Sequence, residues 1–212
     1  MTKVHLEVQK HAQKGRDIIL IGHKGHPEVI GTLGRHPSNS NTKIYLVENN
    51  DDIKKLEISS PEVAYVTQTT LSVDETRELI NSLKEKFPGI IGPSADDICY
   101  ATQNRQDAVK QLSLECQIVL VIGSQTSSNS NRLKELAEKC GTKSFLIDDK
   151  TDIDLNSLKD ATSVGITAGA SAPEEIVQEV ISFLVPLGFN TVRNLSENNE
   201  NMTFKLPKEL TS

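Results

Sequence analysis

Four times along this chain a short apolar run ends in a loop of small or polar residues. Asp17–Ile21 precedes residues 22–28, Val63–Thr67 precedes 67–70, Ile118–Ile122 precedes 123–131, and residues 161–167 precede 168–173. Short runs rich in β-branched residues and stopped by Gly or polar side chains read as strands buried on both faces, the pattern of a parallel sheet. Beyond the loops the apolar spacing lengthens to three and four, as in Leu79, Ile80, Leu83 and Phe87, or Ile176, Val177, Val180, Ile181 and Leu184. That spacing gives a helix one apolar stripe. The repeating plan of strand, polar loop and helix predicts an α/β chain with parallel sheets. Loops at the carboxyl ends of such strands wall a binding crevice, so residues 22–28, 67–70, 123–131 and 167–171 are four candidate walls of one site.

Smaller signals fill in the rest. Val4, Val8 and Ala12 predict a helix closed by Gly15. Residues 43–47 read as a further strand, 51–56 as a short helix, and 144–147 as another strand. Ser72 and Glu75 form a capping-box pattern, worth ~1 kcal/mol for its cap, and Pro88-Gly89 stops the helix that follows. A Gly/Pro/Asp-rich stretch around a short strand at Ile90 puts a domain boundary near residue 95, giving units 1–95 and 96–212. A helix over 102–115 follows, Pro173 suits the first turn of the last helix, and the tail reads as a turn at 196–201 with a strand at 203–206.

Composition narrows the partners. Twenty-three Lys+Arg against 29 Asp+Glu give a net charge of −6, which argues against a nucleic-acid or acidic-membrane surface. A phosphate ligand must then be held by local donors. Three widely spaced cysteines, Cys99, Cys116 and Cys140, argue for a reducing compartment and a cytoplasmic protein. No apolar run approaches the ~20 residues of a membrane span.

The candidate site residues each admit two readings. His26 and Glu28 follow a strand on a Gly- and Pro-bounded loop. They suit phosphate donation and proton transfer, or are a surface histidine and a helix-capping acid. A metal site there lacks a third ligand. Thr69 and Thr70 contact ligand or cap a turn. Ser127, Ser128 and Asn129 gather short donors where a helix begins, which suits an anion, or they form a solvated turn. Ser171 lies among small neighbours that admit a ligand close to backbone. Cys99 is a small buried hydrophobe or a thiolate ligand to iron. Cys116 and Cys140 read as structural.

The segments Gly22-His23-Lys24-Gly25-His26-Pro27-Glu28-Val29, Thr67-Gln68-Thr69-Thr70-Leu71-Ser72-Val73, Asp96-Asp97-Ile98-Cys99-Tyr100-Ala101-Thr102, Ser127-Ser128-Asn129-Ser130-Asn131-Arg132-Leu133 and Thr167-Ala168-Gly169-Ala170-Ser171-Ala172-Pro173 occur in this order. Together they closely resemble the 4-hydroxy-3-methylbut-2-enyl diphosphate reductases, the LytB-type iron–sulfur enzymes that end the non-mevalonate isoprenoid pathway. The resemblance runs along essentially the whole chain. It implies two of three similar α/β lobes around a 4Fe-4S cluster. It also implies reductive removal of an allylic hydroxyl, giving isopentenyl and dimethylallyl diphosphate, with electrons from a donor such as ferredoxin or flavodoxin. Carried over by motif, Cys99 is a cluster ligand, Glu28 the proton-relay acid helped by Thr69, and His26, Ser127, Ser128, Asn129 and Ser171 hold the diphosphate. Such enzymes carry a further N-terminal lobe with two more cluster cysteines, the second in a Cys-Pro-Leu-Val segment directly ahead of Thr-Lys-Val-His. Here Met1 precedes Thr2-Lys3-Val4-His5. The expectation is a chain without that lobe, inactive alone, that does not retain the cluster. The alternative is a cluster-free diphosphate-binding remnant. A generic nucleotide-binding domain fits less well, because no G-x-G-x-x-G or Walker A loop is present.

Overall fold

Every residue of strands β1 (Asp17–Ile21) and β4 (Ile118–Ile122) is buried, because each is the central strand of its own sheet. The computed structural model describes residues 2–93 and 97–195. The domain boundary near residue 95, the turn at 196–201 and the strand at 203–206 lie outside the described residues. In the first sheet β2 (Ile44–Val47) and β3 (Val63–Thr67) flank β1, all parallel. In the second, β5 (Lys143–Ile147) and β6 (Val164–Ala168) flank β4, again all parallel. The strands end level. Ile21 pairs with Val47 and Thr67, and Ile122 pairs with Ile147 and Ala168. The loops that follow therefore start at one height in each sheet.

Alternation along the central strands decides which helix covers which face. Ile18 and Leu20 pack with Val4, Val8 and Ala12 of α1 (Thr2–Gln13) and Val29 of α2 (Pro27–Leu33). Ile19 and Ile21 face Ile53 of α3 (Asn50–Lys55) and Leu83 of α4 (Val73–Lys86). In the second lobe Val119 and Val121 meet Val109 and Leu112 of α5 (Tyr100–Glu115) and Leu133 and Ala137 of α6 (Ser128–Lys139). Leu120 and Ile122 meet Leu158 of α7 (Leu155–Leu158) and Val180 and Leu184 of α8 (Glu174–Leu184). Each such Val, Leu or Ile side chain contributes ~1.5–3 kcal/mol by leaving water. The helices after the central strands, α2 and α6, lie on one face, and those after the flanking strands lie on the other. A crevice opens beside the central strand wherever connections part in this way.

Several sequence expectations need correction. Residues 128–131 are the first turn of α6 rather than loop, because Ser127 and its neighbours cap the helix where the sequence appeared only polar. His26 and Glu28 likewise belong to the start of α2, His26 as N-cap. The Ser72–Glu75 box closes on one side only. Ser72 Oγ accepts from the Glu75 N–H at 3.4 Å, while the Glu75 carboxylate turns to Arg132 and Lys139 on α6. The strand at Ile90 reduces to a single parallel bridge, Ala64 to Ile91. Pro173 is the N-cap of α8 rather than part of its first turn. No helix of the described residues is long and apolar enough to cross a membrane.

Three histidines of the first lobe, His5, His11 and His23, are held below the ordinary imidazole value. Burial is the leading cause for each; the next is Arg35 for His5, Arg16 for His11 and Arg132 for His23. The unfolded chain then binds protons more readily than the fold as pH drops below about 6.5, so stability is fully present above that value and falls as pH falls. Urea midpoints measured between pH 7.5 and pH 5.5 should decline, and His11→Leu should flatten the decline. Glu7, raised by burial and then by Asp97, acts in the opposite sense in the carboxylate range.

Candidate functional site

The loop after β1 can approach the loop after β3 only because residue 22 is glycine. A Cβ there would come 2.6 Å from Val29 Cγ2 and 3.2 Å from Gln68 Oε1. The chain then turns through His26, whose Nδ1 accepts from the Glu28 N–H at 3.2 Å. This caps α2 and leaves the proton of the neutral ring on Nε2, available as a donor. Glu28, 3% exposed, reaches across to the β3 loop. Its Oε1 accepts from the Thr69 N–H and its Oε2 from the Thr69 hydroxyl, both at 3.0 Å.

Thr69 also ties in the cysteine. Its carbonyl accepts from the Cys99 N–H at 3.4 Å. Cys99 is exposed, stands at the N-cap of α5, and has its Sγ 3.0 Å from Thr102 Oγ1. Buried Asp97 fixes this segment: one oxygen accepts from the Thr67 N–H at 2.9 Å and the other meets Lys3 Nζ at 3.0 Å. Glu28, Thr69 and Cys99 thus form one continuous cluster, with the Glu28 carboxyl spanning the two loops.

The second lobe closes on these loops. Thr70 Oγ1 lies 3.1 Å from Ser128 Oγ, and Arg132 Nη2 donates to His23 Nε2 at 2.6 Å. Buried Gln106 of α5 donates to the Leu71 carbonyl at 2.8 Å and accepts from the Val73 N–H at 3.0 Å. At the start of α6, Ser127 Oγ accepts from Ser130 N at 3.3 Å and from Ser130 Oγ at 3.1 Å, so its own hydrogen is free. Ser130 fills the space left by Gly123 and Gly169, where a Cβ on either would collide with its hydroxyl. Gly123, at φ +155°, also has a conformation that disfavours any side chain. This contact sets the loop after β6 against the first turn of α6, with exposed Ser171 two residues beyond Gly169.

Among the described residues with an unpartnered buried polar atom, Asn129 alone has two. It is 7% exposed, and neither its Oδ1 nor its Nδ2 has a partner among the described residues. An unpaired buried amide costs ~1–3 kcal/mol. Ser127 and Ser128 directly precede it at the start of α6, and a helix start with short donors suits an anion.

The cysteines do not gather. Cys116 is half-buried and packs against the second lobe's core, where a side chain at Gly165 would come 3.3 Å from its sulfur, and burial pushes its thiol up. Cys140 caps the far end of α6. No group of three potential metal ligands occurs among the described residues. Cys99 can offer one thiolate, and the remaining residues do not fit a four-iron cluster, for which four cysteine ligands are usual.

Gln68, Asp97 and Gln106 carry no local sequence signal of their roles, because each has a partner distant in the chain. Ser130 bonds the nearby Ser127, but its fit against Gly123 and Gly169 is set by the fold.

The family model for LytB protein matches residues 1–185. The 4-hydroxy-3-methylbut-2-enyl diphosphate reductase of Saccharophagus degradans is 55% identical over 211 residues, covering 99% of this chain and 68% of its own. That of Psychrobacter arcticus is also 55% identical, with 66% of its length covered. The solved E-1-hydroxy-2-methyl-but-2-enyl-4-diphosphate reductase of Plasmodium falciparum superposes with a TM-score of 0.90 at 37% identity, over 98% of this chain and 65% of that one. The chain thus spans about two thirds of the length of the relatives it matches.

Proposed function

Because the chain belongs to the LytB protein family, we propose that it forms part of a 4-hydroxy-3-methylbut-2-enyl diphosphate reductase, with the diphosphate-holding wall and the proton-relay carboxyl of that enzyme's site. The reaction in this reading takes two electrons and two protons, breaks the allylic C–O bond, releases water, and leaves isopentenyl or dimethylallyl diphosphate. The electrons come from a one-electron carrier of the ferredoxin or flavodoxin class. The division near residue 95 separates a lobe bearing the acid from a lobe bearing Cys99 and the diphosphate loop. Three free thiols suit a reducing, cytoplasmic setting.

The observation that carries the reading is Asn129, buried with both amide ends unpaired beside Ser127 and Ser128. In the bound state Ser127, Ser128 and Ser171 donate hydroxyl hydrogens to the diphosphate, His26 donates through Nε2, and Asn129 gains a partner. Glu28 supplies the proton side. Because Oε1 is taken by the Thr69 N–H, a proton on the carboxyl sits on Oε2 and is donated to Thr69 Oγ1. That turns the Thr69 hydrogen outward, toward a leaving hydroxyl.

Toward an iron–sulfur cluster this chain would offer a single thiolate, Cys99. A cluster-free diphosphate binder is the second reading, favoured by the dispersal of Cys116 and Cys140. Calorimetric titration with the allylic diphosphate and with its dephosphorylated alcohol tests the common core. Binding of the diphosphate alone supports the cradle, and equal binding of both, or of neither, refutes it.

A further inference from the structure

Gln68 is fully buried, yet both ends of its amide are engaged. Its Oε1 accepts from the His23 backbone N–H at 3.1 Å, and its Nε2 donates to Thr70 Oγ1 at 3.0 Å. A backbone N–H can only donate, so the end facing His23 must be the oxygen and the end facing Thr70 the NH2 group. Thr70 Oγ1 therefore accepts from Gln68 and keeps its own hydrogen to give. The acceptor that the structure offers for it is Ser128 Oγ, 3.1 Å away on the other lobe. With its oxygen accepting from Thr70, Ser128 has its own O–H left to point outward from the first turn of α6.

We infer that Gln68 and Thr70 are positioning residues that orient the Ser128 hydroxyl as a donor to the bound diphosphate. With Thr70 as the donor to Ser128, the wiring runs from the backbone of the β1 loop through the buried amide, the threonine and the serine to the ligand. It begins at the glycine that lets His23 approach, since a Cβ on Gly22 would lie 3.2 Å from Gln68 Oε1. It crosses from one lobe to the other, so the same bond that aims Ser128 joins the two halves of the cradle. The inference rests on the diphosphate reading above.

The test is calorimetric titration of the chain with inorganic pyrophosphate, with circular dichroism and urea midpoints recorded for every variant. Thr70→Val should weaken binding about three- to tenfold, the range of one ordinary hydrogen bond, while Thr70→Ser should stay close to the parent. In a Ser128→Ala background, where binding is already weaker, Thr70→Val should produce no further loss, because Thr70 acts only through Ser128. An equal loss in both backgrounds would make Thr70 a structural residue and overturn the inference, as would unaltered binding by Thr70→Val. Should valine disturb the fold, Thr70→Ala gives the same comparison. Unaltered binding by Ser128→Ala, or no binding by the parent chain, overturns the diphosphate reading at this loop and the wiring with it. A loss in Ser128→Ala without one in Thr70→Val overturns the wiring alone.

Discussion

Asn129→Leu should bind inorganic pyrophosphate at least tenfold more weakly and, at the same time, unfold at a higher urea concentration. The two effects have one cause. In the free chain the Asn129 amide is buried with neither end paired among the described residues, a cost of ~1–3 kcal/mol that an apolar side chain of similar size removes. In the complex the amide meets a charged ligand, and a hydrogen bond to a charged group is worth ~1.5–3 kcal/mol, a factor of ten or more in affinity. A site held ready for a ligand is destabilising until the ligand arrives. Calorimetry and urea unfolding of the two proteins measure both signs. Lower stability with unaltered affinity would identify Asn129 as part of the packing of α6 instead.

Anaerobic incubation of the chain with ferrous iron, sulfide and reductant should yield no stable four-iron absorbance and no turnover of the allylic diphosphate. Only Cys99 stands in the Glu28–Thr69 cluster. Cys116 packs, half-buried, against the second lobe's core, and Cys140 stands at the opposite end of α6 from Ser127. Moving either into place would require repacking of α5 or unwinding of α6. A stable, reducible cluster on these 212 residues, lost on Cys99→Ser, would contradict this account of the thiols.

Strands β1, β3 and β4 are legible in the sequence because all five positions of each are buried, which writes an apolar run broken only by Asp17 at one end and Thr67 at the other. At the sheet edges the signal weakens. Strand β6 starts at Val164 rather than 161, since Ala161, Thr162 and Ser163 precede its pairing. The short α7 leaves no signal in the sequence; four residues capped by Asp154 are too few for a helical period to show. The start of α6 was misread for a chemical reason. Serine and asparagine compete with helix interiors yet satisfy helix starts, so the same residues fit a loop and a first turn. The strand-end position of the four loops is visible from local order alone. The hydrogen bonds that assemble the site are not. Gln68 reaches back to His23, Thr70 forward to Ser128, and Asp97 back to Thr67, each a pairing set by how the lobes meet. The Glu75 carboxylate shows the same limit: its capping pattern was read correctly for the N–H and wrongly for the side chain, which crosses to α6.

The most direct test of the cradle is where on the chain an anion binds. Backbone amide resonances followed during titration with inorganic pyrophosphate should move at His26, Thr69, Thr70, Ser127 to Asn131 and Ser171, and Ser127→Ala should reduce those shifts. Movement confined to residues remote from these strand-end loops, or shifts that Ser127→Ala leaves unaltered, would contradict a diphosphate site at this meeting of the two lobes.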